Sequence, residues 1–139
     1  KNMGTITRTL ANNLHHFGSN TVETGTWTPT TNIGFASVGE AKYIKIGKFV
    51  QADVSATYNT GPGDSSQASS FGGLPFSGDS DCESISFNVR VVGHNEPIYS
   101  EVSGTGGSMK SRTDDVPLTR SQIGTRTLKA TFTYTTDID

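Results

Sequence analysis

Three stretches of this chain alternate apolar and polar residues with a period of two, and that alternation limits its fold more than any other feature. In Lys48–Tyr58, Val50, Ala52, Val54, Ala56 and Tyr58 share one face, and Gln51, Asp53, Ser55 and Thr57 share the other. Glu83–Val92 repeats the pattern, with Ile85, Phe87, Val89 and Val91 set against Ser84, Ser86, Asn88 and Arg90. Thr127–Thr136 does so again, with Leu128, Ala130, Phe132 and Tyr134 against Thr127, Lys129, Thr131 and Thr133. Successive side chains of a strand point to opposite faces, so each stretch reads as a strand with one buried and one wet face. Antiparallel sheets have that character, whereas parallel sheets are covered on both sides. Weaker strand text lies at Gly25–Thr30, Gly34–Val38, Ala41–Gly47, Phe71–Leu74, Pro97–Ser103 and Ser108–Ser111. Gly61-Pro62-Gly63-Asp64 and Gly104-Thr105-Gly106-Gly107 supply turn chemistry between them. The expectation is an all-β antiparallel sandwich, jelly-roll-like, over residues 21–139. Its core would take Val54, Phe87, Val89 and Phe132 from facing sheets.

The first 20 residues follow a different rhythm. Ile6, Leu10, Leu14 and Phe17 stand at steps of four, four and three, with Thr5 placed as an N-cap and Gly18 as a stop. This predicts a short N-terminal helix, a stem over residues 1–20. Threonine and asparagine are poor helix formers, so the stripe needs a partner: the sandwich, or copies of itself.

Composition narrows the functional classes. Only 17% of the 139 residues are charged and the net charge is −2, without the basic excess of a dedicated nucleic-acid binder. No apolar run approaches the ~18 residues of a membrane span, so membrane insertion is not expected. The single cysteine, Cys82, forms no intrachain disulfide and no cysteine-rich metal site, and its simplest reading is a small thiol. The chain opens on Lys1 with no signal peptide, which points to a piece of something longer.

No set of residues spells out catalysis. Gly-x-Ser-x-Gly elbows, phosphate-binding loops and dinucleotide fingerprints are missing from the text. His15 and His16 are adjacent, about 100° apart on a helix, and cannot chelate one ion from one chain, although a trimer axis could gather three copies of one of them. Asp79-Ser80-Asp81-Cys82-Glu83 alternates acids as calcium loops do but lacks the rest of that pattern, and a solvated acidic turn is the simpler reading. The expectation is no enzyme, no cofactor and no metal.

Loops on a rigid sandwich are where binding residues collect. His94 and Glu96 sit in a turn between two strand texts, and Tyr99 falls in the outward phase of the strand that follows. Asp64 lies in the long polar loop Asn59–Ser70. A ring with fixed polar groups suits a sugar, so Asp64, His94, Glu96 and Tyr99 are the candidate ligand residues. Trp27, Tyr43 and Phe76 read as packing.

Three segments occur in a familiar order: Gly25-Thr26-Trp27-Thr28-Pro29, then Tyr43-Ile44-Lys45-Ile46-Gly47-Lys48-Phe49-Val50, then Gly73-Leu74-Pro75-Phe76. With the closing strand Leu128–Tyr134, they resemble the C-terminal domain of many tailed-bacteriophage tail fibres and tailspikes, from about Glu23 to Thr136. Asn59–Ser70 and Asp79–Thr125 match no part of that pattern. The resemblance implies a homotrimeric β-sandwich on the virion tail that contacts host cell-surface polysaccharide or lipopolysaccharide, or a trimer cap with no ligand. A small polysaccharide-degrading enzyme is the remaining alternative.

Overall fold

The computed structural model describes residues 22–81 and 84–137. The expected helical stem, with His15 and His16, and Cys82 and Glu83 lie outside the described residues. Ten strands and one helical turn follow in order: β1 (Val22–Thr26), β2 (Thr30–Thr31), β3 (Phe35–Ile46), β4 (Phe49–Tyr58), β5 (Phe71–Gly72), β6 (Ser84–Ser86), β7 (Val89–Val91), β8 (Ile98–Ser103), β9 (Gly106–Ser111), α1 (Arg120–Ile123) and β10 (Thr127–Thr135). They form two five-stranded sheets, β1-β3-β4-β10-β7 and β2-β5-β9-β8-β6. Every pairing is antiparallel.

The strongest alternation makes the strongest ladder. β4 pairs with β3 on one side and with β10 on the other. Val50, Ala52, Val54, Ala56 and Tyr58 of β4 and Leu128, Ala130, Phe132 and Tyr134 of β10 all point inward and are buried. Phe132 stacks on Phe71 of the opposite sheet with centroids 4.5 Å apart, and meets Trp27 edge-on at 6.4 Å. This joins the two sheets through one apolar core.

Weaker strand text resolves differently. The two stretches from Gly34 to Gly47 merge into the single strand β3, which absorbs register shifts between Phe35 and Ser37 and between Val38 and Glu40. The text read as Gly25–Thr30 gives a strand that ends at Thr26, and Trp27 leaves the ladder to bury its ring. α1 has no counterpart in the sequence reading. Its capping box is complete: the Thr119 amide donates to Gln122 Oε1 at 2.8 Å, the Gln122 amide donates back to Thr119 Oγ1 at 3.4 Å, and Ile123 is fully buried.

One expectation fails outright. Glu83–Val92 is not one strand, and Phe87 is not in the core. The chain breaks at Phe87–Asn88: β6 pairs with β8 in one sheet, and β7 pairs with β10 in the other. Ser86 and Val89 both point inward, three positions apart, so the phase slips by one where the chain changes sheets. Ile85 and Phe87 are thereby turned out, with Phe87 60% exposed. Ser86 takes the inward place because its hydroxyl has work there: it accepts from the Thr133 amide at 2.9 Å and lies 3.2 Å from the Thr133 carbonyl. The Asn88 carbonyl accepts from the Thr131 amide and completes the corner.

The segments that carry the resemblance interlock physically. Gly25 lies opposite Tyr43 in the β1–β3 ladder, and a Cβ there would sit 2.7 Å from the Tyr43 ring. Gly73 has φ +82, and its Cβ would fall 1.9 Å from the Thr28 carbonyl oxygen, so only glycine fits. Phe76 packs edge-on against Tyr43 at 5.3 Å, lies under the Lys45 ammonium at 5.4 Å, and accepts the Tyr134 hydroxyl at its carbonyl at 2.9 Å. Trp27 Nε1 donates to the carbonyls of Lys42 and Asp53. These residues are scaffold.

Candidate functional site

The sheet change that exposes Phe87 also builds a site around it. On the outer face of the second sheet, β6 and β8 bring Ile85, Phe87 and Tyr99 together, with the Phe87 and Tyr99 ring centroids 6.3 Å apart. The loop after β9 delivers Arg112 and Asp115 to the same place. Its fold is set by backbone bonds: the Arg112 amide donates to the Pro97 carbonyl at 3.0 Å, and the Asp115 amide to the Ser111 carbonyl at 3.0 Å. Asp115 closes that turn with φ +59, a left-handed conformation that Asp tolerates better than most residues. Its carboxylate accepts the Tyr99 hydroxyl at 3.0 Å. Burial raises the Tyr99 phenol above its ordinary pKa, and the bond to Asp115 and the charge of Asp115 add to the shift.

Arg112 sits over the Phe87 ring, its guanidinium carbon 4.4 Å from the centroid, and its Nε donates to the Ile98 carbonyl at 3.2 Å. The result is an open cleft of about 340 Å³ lined by Ile85, Phe87, Tyr99, Arg112 and Asp115. A smaller hollow of about 170 Å³ adjoins it, shares Phe87 and Arg112, and is lined also by Arg90, His94 and Glu96. His94 Nε2 is buried there and bonds to no described group.

Of the four residues singled out in the sequence, Tyr99 lines the cleft, and His94 and Glu96 line the hollow beside it. Asp64 lies elsewhere. Its carboxylate is occupied by the Ser66 amide at 2.9 Å and the Ser66 hydroxyl at 2.7 Å, which hold its pKa below the usual carboxylate value. The loop of residues 59–70 is tied to α1, through Arg120 to Gln67 at 2.7 Å and to the Thr60 carbonyl, rather than to the turn at His94. Phe87, Arg112 and Asp115 escaped the sequence reading. Phe87 alternates like a core residue, and Arg112 and Asp115 reach the ring only through the folding of the loop after β9.

A larger depression of about 410 Å³ lies on the outer face of the first sheet, among Glu40, Asp53, Ser55, Asn88, Lys129 and Thr131. It carries no aromatic ring on which a sugar could stack, which the cleft at Phe87 does. The same sheet face also exposes Val22, Ile44, Ile46 and Phe49, and the ladder sets Val22, Ile46 and Phe49 in one row.

Asp79 Oδ1 is taken by the Asp81 amide at 2.8 Å, an Asx turn. Among the described residues, no three acidic, histidine or cysteine side chains gather as a metal would require, and no helix is long and apolar enough to cross a membrane. No protein-family model and no curated protein matches the chain.

Proposed function

We propose that this chain is a non-enzymatic host-recognition domain from the end of a bacteriophage tail fibre or tailspike. It acts as a homotrimer and binds host cell-surface polysaccharide or lipopolysaccharide through the cleft around Phe87. The observation that carries this reading is the exposed Phe87 ring, paired with the half-buried Tyr99, beside polar groups on a well-bonded loop. Sugars stack their C–H faces on such rings and order their hydroxyls on such groups. Weak binding at one cleft is offset by three copies acting together. Gly25, Tyr43, Gly73 and Phe76 pack as scaffold away from that cleft.

A second reading, a trimer cap with no ligand, draws on a different surface. The exposed row of Val22, Ile46 and Phe49, with Ile44 beside it, is an apolar patch at the point where the N-terminal segment joins the sandwich. In this reading the patch joins the three protomers and the Phe87 cleft binds no sugar.

The experiment is binding of the purified chain to a panel of bacterial capsular polysaccharides and lipopolysaccharides, with its mass measured by light scattering. Binding that Phe87→Ala abolishes, at a mass near three times 14.8 kDa, supports recognition. A trimer that binds nothing supports the cap. A monomer refutes both. Release of reducing ends or unsaturated sugars from any polymer would make the chain an enzyme.

A further inference from the structure

The proposal that follows rests on the recognition reading and names the class of sugar. We infer that the cleft takes a carboxylate-bearing sugar, with the carboxylate held by Arg112.

The Arg112 guanidinium carbon rests 4.4 Å from the Phe87 ring centroid, and Nε is spent on the Ile98 carbonyl. The two terminal nitrogens bond to no described residue. The ion pairs among the described residues are Lys42–Glu40 and Lys110–Glu101, and neither involves Arg112. Asp115 and Glu96 line the cleft and hollow with Arg112 but form no ion pair with it, and Asp115 gives one oxygen to the Tyr99 hydroxyl. Arg112 is thus a planar fork held in place with its paired donors unspent, the geometry that receives a carboxylate through two parallel hydrogen bonds. Much of the cost of ordering a flexible arginine has been met in the fold, so more of the binding energy is left for the ligand.

The surroundings favour an anionic sugar over a simple anion. Ile85, Phe87 and Tyr99 form an apolar wall suited to a pyranose C–H face. The second oxygen of Asp115 can accept a sugar hydroxyl. Arg90 lines the adjoining hollow with Glu96, so that a second cation stands near the fork. A neutral sugar would use the wall and Asp115 but leave the fork idle.

The test compares methyl glucuronide with methyl glucoside, which differ only in the carboxylate. Each is titrated into the 15N-labelled chain while the Arg112 Nε–H and the amides of Tyr99 and Asp115 are followed by NMR. The expected result is saturation by the glucuronide in the millimolar range, with the glucoside roughly tenfold weaker or more. Arg112→Gln should remove the difference and leave both weak. Arg112→Lys, which keeps the charge and loses the fork, should recover only part of it. Thermal melts of both variants show that they are folded. Equal binding of the two glycosides at these resonances, or a preference that survives in Arg112→Gln, overturns the inference while recognition stands. If neither glycoside binds and the parent still binds polysaccharides independently of Arg112, the inference is likewise overturned and recognition stands. If no polysaccharide in the panel binds, the recognition reading falls and takes the inference with it.

Discussion

Phe87 and Phe132 give the sharpest test of the fold, because the alternation pattern ranks them as equals and the structure does not. Phe132 is 1% exposed, stacks on Phe71 and meets Trp27. Cutting it to alanine opens a cavity between the sheets, at a cost of about 3–5 kcal/mol. Phe87 is 60% exposed. Full burial of such a side chain contributes about 1.5–3 kcal/mol, so the buried remainder contributes about 0.6–1.2 kcal/mol. The Arg112 contact adds about 0.5–1 kcal/mol at an exposed position. Phe87→Ala should therefore cost about 1–2 kcal/mol, well below Phe132→Ala. Urea unfolding of both variants and the parent, at one protomer concentration so that any assembly weighs equally, reads these values from the midpoint at unchanged slope. Ser86→Ala is the control for the sheet change. It leaves the Thr133 amide without its partner inside the sandwich and should cost about 1–3 kcal/mol. If Phe87→Ala proves as costly as Phe132→Ala while Ser86→Ala is neutral, the phase slip is wrong and Phe87 belongs in the core.

Gly73→Ala must place a methyl against the Thr28 carbonyl from a left-handed backbone, and should destabilise by more than about 2 kcal/mol or prevent folding, as read in a thermal melt. Thr119→Ala removes the cap of α1 and should cost about 1 kcal/mol in urea, with any loss of protection from hydrogen exchange confined to the helix and the loop of residues 59–70 tied to it. Burial raises the Tyr134 phenol to about 12 and also raises Tyr58. The folded state holds these protons more tightly than the unfolded chain, so their contribution is intact below about pH 10 and is lost as the pH climbs toward 12. Tyr134→Phe should flatten the fall in melting temperature across that alkaline window, and an unchanged slope would refute the assignment. Asp64 works in the opposite direction: its pKa is held down by Ser66, so its small contribution is present at neutral pH and fades in acid, and Ser66→Ala should raise its pKa toward the ordinary value in an NMR titration.

The sequence by itself determined the class of fold and its central ladder. In Val50–Tyr58 and Leu128–Tyr134 the period of two is unbroken, every inward position is apolar, and burial follows from alternation alone. Tyr99 was legible as an outward ring and His94 with Glu96 as a turn beside it, because turn residues and strand phase are local properties. Tertiary structure alone decided which side of the sheet Phe87 would face. Glu83–Val92 alternates as cleanly as the other two stretches, yet it crosses from one sheet to the other, and a chain that changes sheets can shift its phase without a mark in the sequence. The mark lies in partners far along the chain: Thr133, which holds Ser86 inward, and Thr131, which bonds the Asn88 carbonyl. The meeting of Arg112 and Asp115 with Phe87 has the same origin, since residues 112–115 reach that ring only after β8 and β9 have paired and the Pro97 and Ser111 carbonyls have fixed the loop. Local periodicity settles what a strand buries while it stays in one sheet, and long-range hydrogen bonds settle where it leaves.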